Sequence, residues 1–136
     1  TAVIASRSFD WCPYCMRQII QLQENKAGFD AAGIGMVAIT YDDPMLQQAF
    51  IEKFGITIPV VSDVNALSFK TLGILNKDYK QGEFQYGIPY PGMIVIDSQG
   101  KVVGKLFLEA YSSRVGAAAA LAFAKTALGL DPPLAN

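Results

Sequence analysis

Histidine is absent from the 136-residue chain, and cysteine occurs only twice. Because histidine is the usual general base near neutral pH and the commonest metal ligand, its absence removes the most frequent form of both sites. Two cysteines are too few for a disulfide scaffold, and within one chain they supply only half of a tetrahedral zinc site. No nucleotide or flavin motif is present either, so the sequence predicts no cofactor.

Strong net charge and long apolar runs are also missing. Eleven basic and twelve acidic residues leave a net charge of −1 with no basic patch, so no nucleic-acid partner is expected. No apolar run approaches the roughly 20 residues that cross a bilayer, so no membrane span is expected. Apolar residues make up 51% of the chain, which is typical of a globular protein. We expect one domain over residues 1–136, frayed from about residue 130.

The chain begins at Thr1 instead of methionine. A removed targeting segment and a truncated start explain this equally well. A redox-active cysteine pair also works both in reducing cytosol and, when it is held reduced, in oxidising compartments. The sequence therefore leaves the compartment open.

Apolar runs and turn residues alternate along the chain in an order typical of an α/β fold. Strands are predicted at residues 3–5, 36–40, 59–61, 93–96 and 101–108, and helices at 13–32, 43–54, 63–72 and from 112 or 113 to 129. Residues 76–91 are polar and rich in turn residues and tyrosine, which predicts a long, functional loop. This order predicts a mixed central sheet with helices on both faces.

The chemistry of the chain is concentrated in Cys12-Pro13-Tyr14-Cys15, which follows a strand and begins a helix. The partial positive charge and the unpaired N–H groups of a helix N-terminus favour a thiolate on the first cysteine. The spacing lets the second sulfur reach the first, so that a mixed disulfide is resolved within one molecule. This predicts Cys12 as the attacking thiolate and Cys15 as the resolving thiol.

Three less reactive interpretations of the pair stay open. The cysteines could form half of a zinc site shared between two chains, an inert disulfide closing a very short loop, or two buried, unreactive thiols. Trp11 likewise could be a core side chain or an apolar shelf on which a partner docks beside the sulfur. The strand-to-helix position of the pair favours redox chemistry.

Trp11-Cys12-Pro13-Tyr14-Cys15 after a strand resembles the Trp-Cys-x-x-Cys motif of thioredoxin-fold proteins. Further segments, in matching order and spacing, are similar to the redoxin domain of the alkyl hydroperoxide reductase/thiol-specific antioxidant (AhpC/TSA, peroxiredoxin-like) family. They are residues 54–63, 72–74, 91–97 and 100–103. The resemblance covers residues 2–125 and implies a thioredoxin fold and antioxidant redox chemistry.

The resemblance also implies a cis-proline opposite the active cysteines. Pro91 stands at the matching position, with Pro89 as a competitor. A cis bond there would expose the backbone of Tyr90 for strand-like pairing with a substrate. Together with the 76–91 loop, the implied docking residues are Trp11, Pro13, Tyr14, Tyr90 and Pro91.

The chain departs from the family pattern at chemically important positions. Peroxiredoxins carry a Pro-x-x-x-Thr-x-x-Cys run and a distant arginine. With Cys15 as the peroxide-reactive cysteine, Ser8 and Cys12 replace the proline and the threonine, and Pro91 replaces the arginine. Ser6 stands where thioredoxins have a buried aspartate that accepts a proton. These departures favour a thioredoxin-type dithiol over a dedicated peroxidase and leave the proton acceptor for Cys15 unassigned.

The sequence therefore predicts a thiol–disulfide oxidoreductase. Its expected substrate is a disulfide-bearing protein or a small thiol, and its expected reductant is another dithiol protein. The first alternative is a thiol peroxidase, in which peroxide oxidises one cysteine to sulfenic acid and the other closes the disulfide. The second alternative is a redox-inert binding module with a permanent disulfide.

Overall fold

A five-stranded sheet forms the centre of the molecule. The computed structural model describes residues 1–107 and 116–130. Its strands are β1 (Ala2–Ala5), β2 (Met36–Thr40), β3 (Val60–Ser62), β4 (Gly92–Ile96) and β5 (Val102–Phe107), in the spatial order β3-β2-β1-β4-β5. β2 runs parallel to β1 and β3, whereas β4 is antiparallel to β1 and β5. The predicted mixed α/β sheet is confirmed.

Five α-helices lie within the described residues, and their ends follow local signals. They are α1 (Pro13–Glu24), α2 (Lys26–Ala31), α3 (Pro44–Phe54), α4 (Leu67–Thr71) and α5 (Ala117–Ala127). The start of α3 is as predicted, because the Asp43 carboxylate accepts the Met45 N–H at 2.9 Å and Pro44 occupies the first helical position. Gly55, with a φ of +63°, ends it.

Two of the predicted helices are divided in the structure. The helix expected over residues 13–32 breaks at Asn25 (φ −107°, ψ 13°) into α1 and α2. The helix expected over residues 63–72 is a 3-10 turn (Val64–Ala66) followed by α4. Asn65 and Ala66 both have a φ of 57°, which interrupts a right-handed helix. The predicted start of the last helix at Ser112 or Ser113 and the tail at 131–136 lie outside the described residues.

The two faces of the sheet carry separate apolar clusters. Side chains alternate along β1, so Ala2 and Ile4 contribute to one cluster while Val3 and Ala5 contribute to the other. The first cluster contains both cysteines, the inner side chains of α1 and residues of α3 and α5. The second contains Phe69 of α4. The cysteines therefore lie over the face of β1 that Ala2 and Ile4 share.

Candidate redox site

The two cysteines lie at the N-terminus of α1, after β1 and a short loop. Cys12 is the N-cap residue, with extended backbone (φ −101°, ψ 99°), and its sulfur accepts the Cys15 N–H at 3.4 Å. Pro13 takes the first helical position, where a missing N–H has no cost. The pair thus occupies the strand-to-helix junction that the sequence predicts.

Both sulfurs are enclosed by protein. Cys12 is 1% exposed and Cys15 0%, and they are thiols that are not joined in a disulfide. The two side chains are hydrogen-bonded to each other, and the Arg7 N–H donates to Cys15 Sγ at 3.3 Å. Cys15 faces the core, whereas Cys12 adjoins the exposed Pro13. The protein therefore holds a reduced pair whose sulfurs share one buried site.

The thiol of Cys12 does not have the lowered pKa that a helix N-terminus predicts. Its hydrogen bond with the Cys15 side chain, its burial and the charge on Cys15 all raise the pKa of Cys12. These effects outweigh the lowering effects of the Cys15 N–H and the Arg7 charge. Within the enclosed dithiol the pKa of Cys12 is raised because two sulfurs in one buried site do not readily ionise together, and the attacking role of a Cys12 thiolate stays a prediction.

A buried carboxylate fastens the segment that leads into the cysteines. Asp42, just past the end of β2, is 4% exposed. Its carboxylate accepts the Ser8 hydroxyl at 2.6 Å and the Phe9 N–H at 2.7 Å. Ser8 Oγ in turn accepts the N–H groups of residues 10 and 11. This carboxylate therefore determines the path of the backbone immediately before Cys12.

Asp42 was not predicted as a site residue from the sequence. The neighbouring Asp43 is exposed and caps α3, so residue type alone does not separate the two. One available signal was topological. Asp42 follows the carboxyl end of β2, which is parallel to β1, and the carboxyl ends of adjacent parallel strands lie at the same edge of a sheet.

Trp11 links the cysteine segment to the 76–91 loop. Its indole N–H donates to Tyr41 Oη at 2.7 Å, and that hydroxyl donates to the Phe84 carbonyl at 2.8 Å. The Trp11 ring lies edge-on to Tyr41 and Phe84, with centroid distances of 6.3 and 5.5 Å. Burial raises the pKa of Tyr41, which keeps its hydroxyl proton available for donation. Neither Tyr41 nor Phe84 was singled out from the sequence.

The other predicted docking residues differ in how far they are exposed to solvent. Tyr14 is half-buried on α1, and Pro13 is exposed beside Cys12. The Tyr90 N–H donates to Ile74 O at 2.8 Å, so it is not available to pair with a substrate strand. Pro91 is buried just before β4.

The expectation of a cis-proline at Pro91 or Pro89 is wrong in this structure. No peptide bond is cis in residues 1–107 or 116–130. An antiparallel bridge between Leu75 and Pro89 holds this part of the chain, and the Tyr90 N–H bond to Ile74 adds to it. The chain therefore enters β4 through an extended, trans segment that its own backbone pairs.

In residues 1–107 and 116–130, no group of three or more histidine, cysteine, aspartate or glutamate side chains is arranged to hold a metal ion. In that part of the chain, no helix is long and apolar enough to cross a membrane.

One protein-family model matches this chain over most of its length. The model of the AhpC/TSA family matches residues 1–105, which is most of the chain. The chain belongs to the AhpC/TSA family. The cysteine motif and the later segments predicted this family, and the prediction is therefore confirmed. Proteins of this family carry out redox chemistry.

Individual AhpC/TSA relatives carry two kinds of name. A putative peroxiredoxin of Mycobacterium tuberculosis is 28% identical over 91 residues, or 67% of this chain and 57% of the relative. The thiol-disulfide oxidoreductase ResA of Geobacillus thermodenitrificans is 30% identical over 94 residues, or 68% of this chain and 46% of the relative. The chain spans about half the length of these curated relatives.

A solved structure supports the fold independently. The peroxiredoxin-like protein from Aquifex aeolicus matches with a TM-score of 0.78 and 23% identity, over 93% of this chain and 71% of that structure. The thioredoxin fold of the AhpC/TSA family is thus confirmed. The relatives' names divide between the two activities that the sequence predicts.

Proposed function

We propose that this AhpC/TSA protein is a thiol–disulfide oxidoreductase whose Cys12 and Cys15 cycle between a dithiol and an intramolecular disulfide. The observation that carries the proposal is the contact of the two side chains across the first turn of α1. Intramolecular resolution requires the second sulfur within reach of the first. The dithiol meets that requirement without a cofactor.

We assign the attack on the substrate to Cys12 and the resolving step to Cys15. Cys12 caps the helix next to the exposed Pro13 and the half-buried Trp11, so a substrate from solvent reaches it first. Cys15 faces the core. When a docked substrate breaks the hydrogen bond between the cysteines, the Cys15 N–H and the Arg7 charge remain to favour a Cys12 thiolate.

The reaction balances without a bound cofactor. The Cys12 thiolate attacks one sulfur of a substrate disulfide, the substrate S–S bond breaks, and its second sulfur leaves as a thiolate. The Cys15 thiolate then attacks Cys12 Sγ, forms the intramolecular disulfide and releases the first substrate sulfur. Two electrons pass to the substrate, and the two cysteine protons end on its sulfurs. Another dithiol protein returns the pair to the reduced state.

The proposed substrate is a protein or peptide disulfide that docks on the aromatic side chains around Cys12. Trp11, Pro13 and Tyr14 flank the attacking sulfur in sequence. Phe84 extends this surface from the loop, because it packs edge-on to Trp11 and is 67% exposed. Such a surface suits an apolar side chain next to the disulfide of the partner.

Trapping the mixed disulfide tests this function. Cys15→Ser removes the resolving sulfur, so the reduced variant should form a stable covalent adduct with a synthetic peptide disulfide, detected by intact mass. Cys12→Ser is the matched control and should form little adduct, because it lacks the sulfur that we assign to the attack. Adducts through Cys15 at an equal or higher rate would refute the assigned roles. No adduct with either variant would reject disulfide exchange.

Thiol peroxidase activity is the second candidate, and the Arg7 amide favours it. The Arg7 N–H donates to Cys15 Sγ at 3.3 Å, and such a bond stabilises the thiolate that attacks peroxide. In this reaction Cys15 becomes a sulfenic acid with release of hydroxide, and Cys12 then closes the disulfide with release of water.

The rate of reaction with hydrogen peroxide separates the two candidates. It is followed in the reduced protein through the fluorescence of Trp11, the sole tryptophan of the chain. Since Cys12 and Pro91 stand in place of the threonine and arginine of peroxiredoxins, we expect a rate no higher than that of an ordinary thiolate. A rate orders of magnitude higher would establish a peroxidase.

A further inference from the structure

The hydroxyl of Ser6 is buried and has no partner among the residues that the structure describes. Ser6 is 1% exposed, and its Oγ makes no hydrogen bond within the part of the chain that the structure describes. A buried hydroxyl that loses its bonds to water and gains none in return destabilises a fold, whereas a methyl group at the same place does not. Stability of the folded thiol form therefore does not explain this side chain.

Ser6 continues β1 by one residue toward the redox site. Its N–H donates to Ile39 O at 3.0 Å, which extends the parallel pairing with β2. The antiparallel register with β4 places Pro91 opposite Ser6 on the other side. Because side chains alternate along a strand, Ser6 lies on the same face as Ile4, and Ile4 belongs to the cluster that contains both cysteines.

Covalent geometry brings this hydroxyl near the Cys15 sulfur. Arg7 N, one peptide bond beyond Ser6, lies 3.3 Å from Cys15 Sγ. Bond lengths and angles keep Ser6 Oγ within about 4 Å of that nitrogen, and hence within about 8 Å of the sulfur at most. Rotation about χ1 of Ser6 moves the hydroxyl by about 2.5 Å. These limits place the hydroxyl in the neighbourhood of the sulfur, and a hydrogen bond between the two groups requires a change of rotamer together with a shift of the first turn of α1.

We propose that Ser6 donates a hydrogen bond to Cys15 Sγ when that sulfur is a thiolate, in the step that resolves the mixed disulfide. The proposal rests on the proposed function and names a further residue for it. While the two thiols bond to each other, the Ser6 hydroxyl has no anion to bind. When Cys12 is bonded to the substrate in a mixed disulfide, Cys15 must ionise. A buried hydrogen-bond donor then lowers the free energy of the Cys15 thiolate.

The step balances without proton transfer from Ser6. The Cys15 thiolate forms a bond to Cys12 Sγ, and the bond between Cys12 Sγ and the substrate sulfur breaks. The electron pair of the broken bond leaves with the substrate sulfur, which takes up the proton that Cys15 has lost. Ser6 keeps its own proton and supplies only the hydrogen bond, so it is neither the acid nor the base.

The pKa of Cys15 provides the test. It is measured in a Cys12→Ser background, with and without Ser6→Ala, from the pH dependence of the ultraviolet absorbance of the thiolate, which needs no reagent to reach the buried sulfur. We expect Ser6→Ala to lower the thiolate fraction at neutral pH about tenfold, which corresponds to a pKa raised by one unit. We also expect unchanged or slightly higher resistance to urea, because the lost hydroxyl had no partner. Ser6→Thr, which retains a hydroxyl, should restore the pKa.

Ser8→Ala is the matched control. Ser8 is 0% exposed, but its hydroxyl bonds to Asp42 and accepts two N–H groups. Its loss should lower resistance to urea and leave the pKa of Cys15 in place. An unchanged pKa in Ser6→Ala, or a loss of stability as large as that of Ser8→Ala, would overturn the proposal. The measurement needs no substrate disulfide, so rejection of disulfide exchange by the trapping experiment is a separate result.

Discussion

Replacing Asp42 by asparagine tests whether one buried carboxylate holds the cysteine segment in place. The carboxylate accepts Ser8 Oγ at 2.6 Å and both the Phe9 N–H and Thr40 Oγ1 at 2.7 Å. These distances are at the short end for hydrogen bonds, as expected when the acceptor is charged. Asparagine keeps one oxygen acceptor, but its NH₂ group replaces the other. That NH₂ group is a donor, and it faces groups that donated hydrogen bonds to the lost oxygen.

The magnitude follows from these three contacts. A hydrogen bond to a charged group contributes about 1.5–3 kcal/mol, and the substitution weakens all three contacts and abolishes at least one. The hydroxyl oxygens of Ser8 and Thr40 already accept two N–H groups each, so they have no lone pair left for the new NH₂ group. We therefore expect the free energy of unfolding to fall by about 2–4 kcal/mol, and Tm to fall by roughly 10 °C.

Two measurements separate anchoring from general stability. Urea unfolding gives the free energy change, and alkylation of the reduced protein, far below the unfolding transition, gives the accessibility of the cysteines. Asp63→Asn is the control. Asp63 is also 4% exposed, but it accepts the N–H groups of Ser68 and Phe69 and so holds α4. Only Asp42→Asn should speed alkylation, because only Asp42 bonds to the segment that covers Cys12.

Equal alkylation rates in Asp42→Asn and the unsubstituted protein would refute the anchoring argument even if stability falls. The carboxylate would then stabilise the fold without holding the cysteine segment. Faster alkylation in both aspartate variants would have the same meaning, since it would reflect lower global stability. A stability loss under about 1 kcal/mol would refute the magnitude, because that is less than one charged hydrogen bond.

Two further predictions concern the Cys12 thiol and the loop. Because the folded protein raises the pKa of Cys12, the stability of the reduced form should be complete below the pKa of an unfolded cysteine, about 8.5, and should decline as pH rises above it. Urea unfolding between neutral and alkaline pH measures this, and the oxidised protein, which has no thiol to titrate, should lack the decline. Tyr41→Phe removes the hydroxyl that joins Trp11 to Phe84, so Trp11 fluorescence should shift and proteolysis of the 76–91 loop should accelerate. Tyr79→Phe, in the same loop, should do neither.

Local patterns were sufficient for much of the fold. Neighbouring residues alone determine the apolar runs of β1 and β2 and the start of α3 at Asp43-Pro44. These elements lie where they were predicted. The break at Asn25 depends on geometry that composition does not encode, since its side chain turns back to bond with Gln21 O at 2.8 Å. The trans segment before β4 depends on pairing between Tyr90 and Ile74, which local patterns cannot supply.

The two buried serines mark where sequence reasoning stops at the site. Ser6 and Ser8 are two residues apart and equally covered, yet in the described part of the chain Ser8 has a carboxylate partner 34 residues away and Ser6 has none. Both residues are serines in the same segment, so the sequence around them does not separate their roles. Only the hydrogen-bond partner in the folded protein distinguishes the Ser8 hydroxyl, which anchors the segment, from the Ser6 hydroxyl, which is available to bind. A buried polar group with a partner is explained by stability, whereas one without a partner needs another explanation.

Enclosure of the dithiol also orders the steps of the proposed reaction. Both sulfurs are covered and their mutual hydrogen bond raises the pKa of Cys12, so the resting reduced protein presents no thiolate to small solutes. We infer that docking on Trp11 and Phe84 comes first, uncovers Cys12 and frees its proton. Ionisation of Cys15 follows only after Cys12 is bonded to the substrate, when the coupling between the two sulfurs is gone. In the proposed reaction, reactivity is thus coupled to docking, which would protect the pair from unselective oxidation between turnovers.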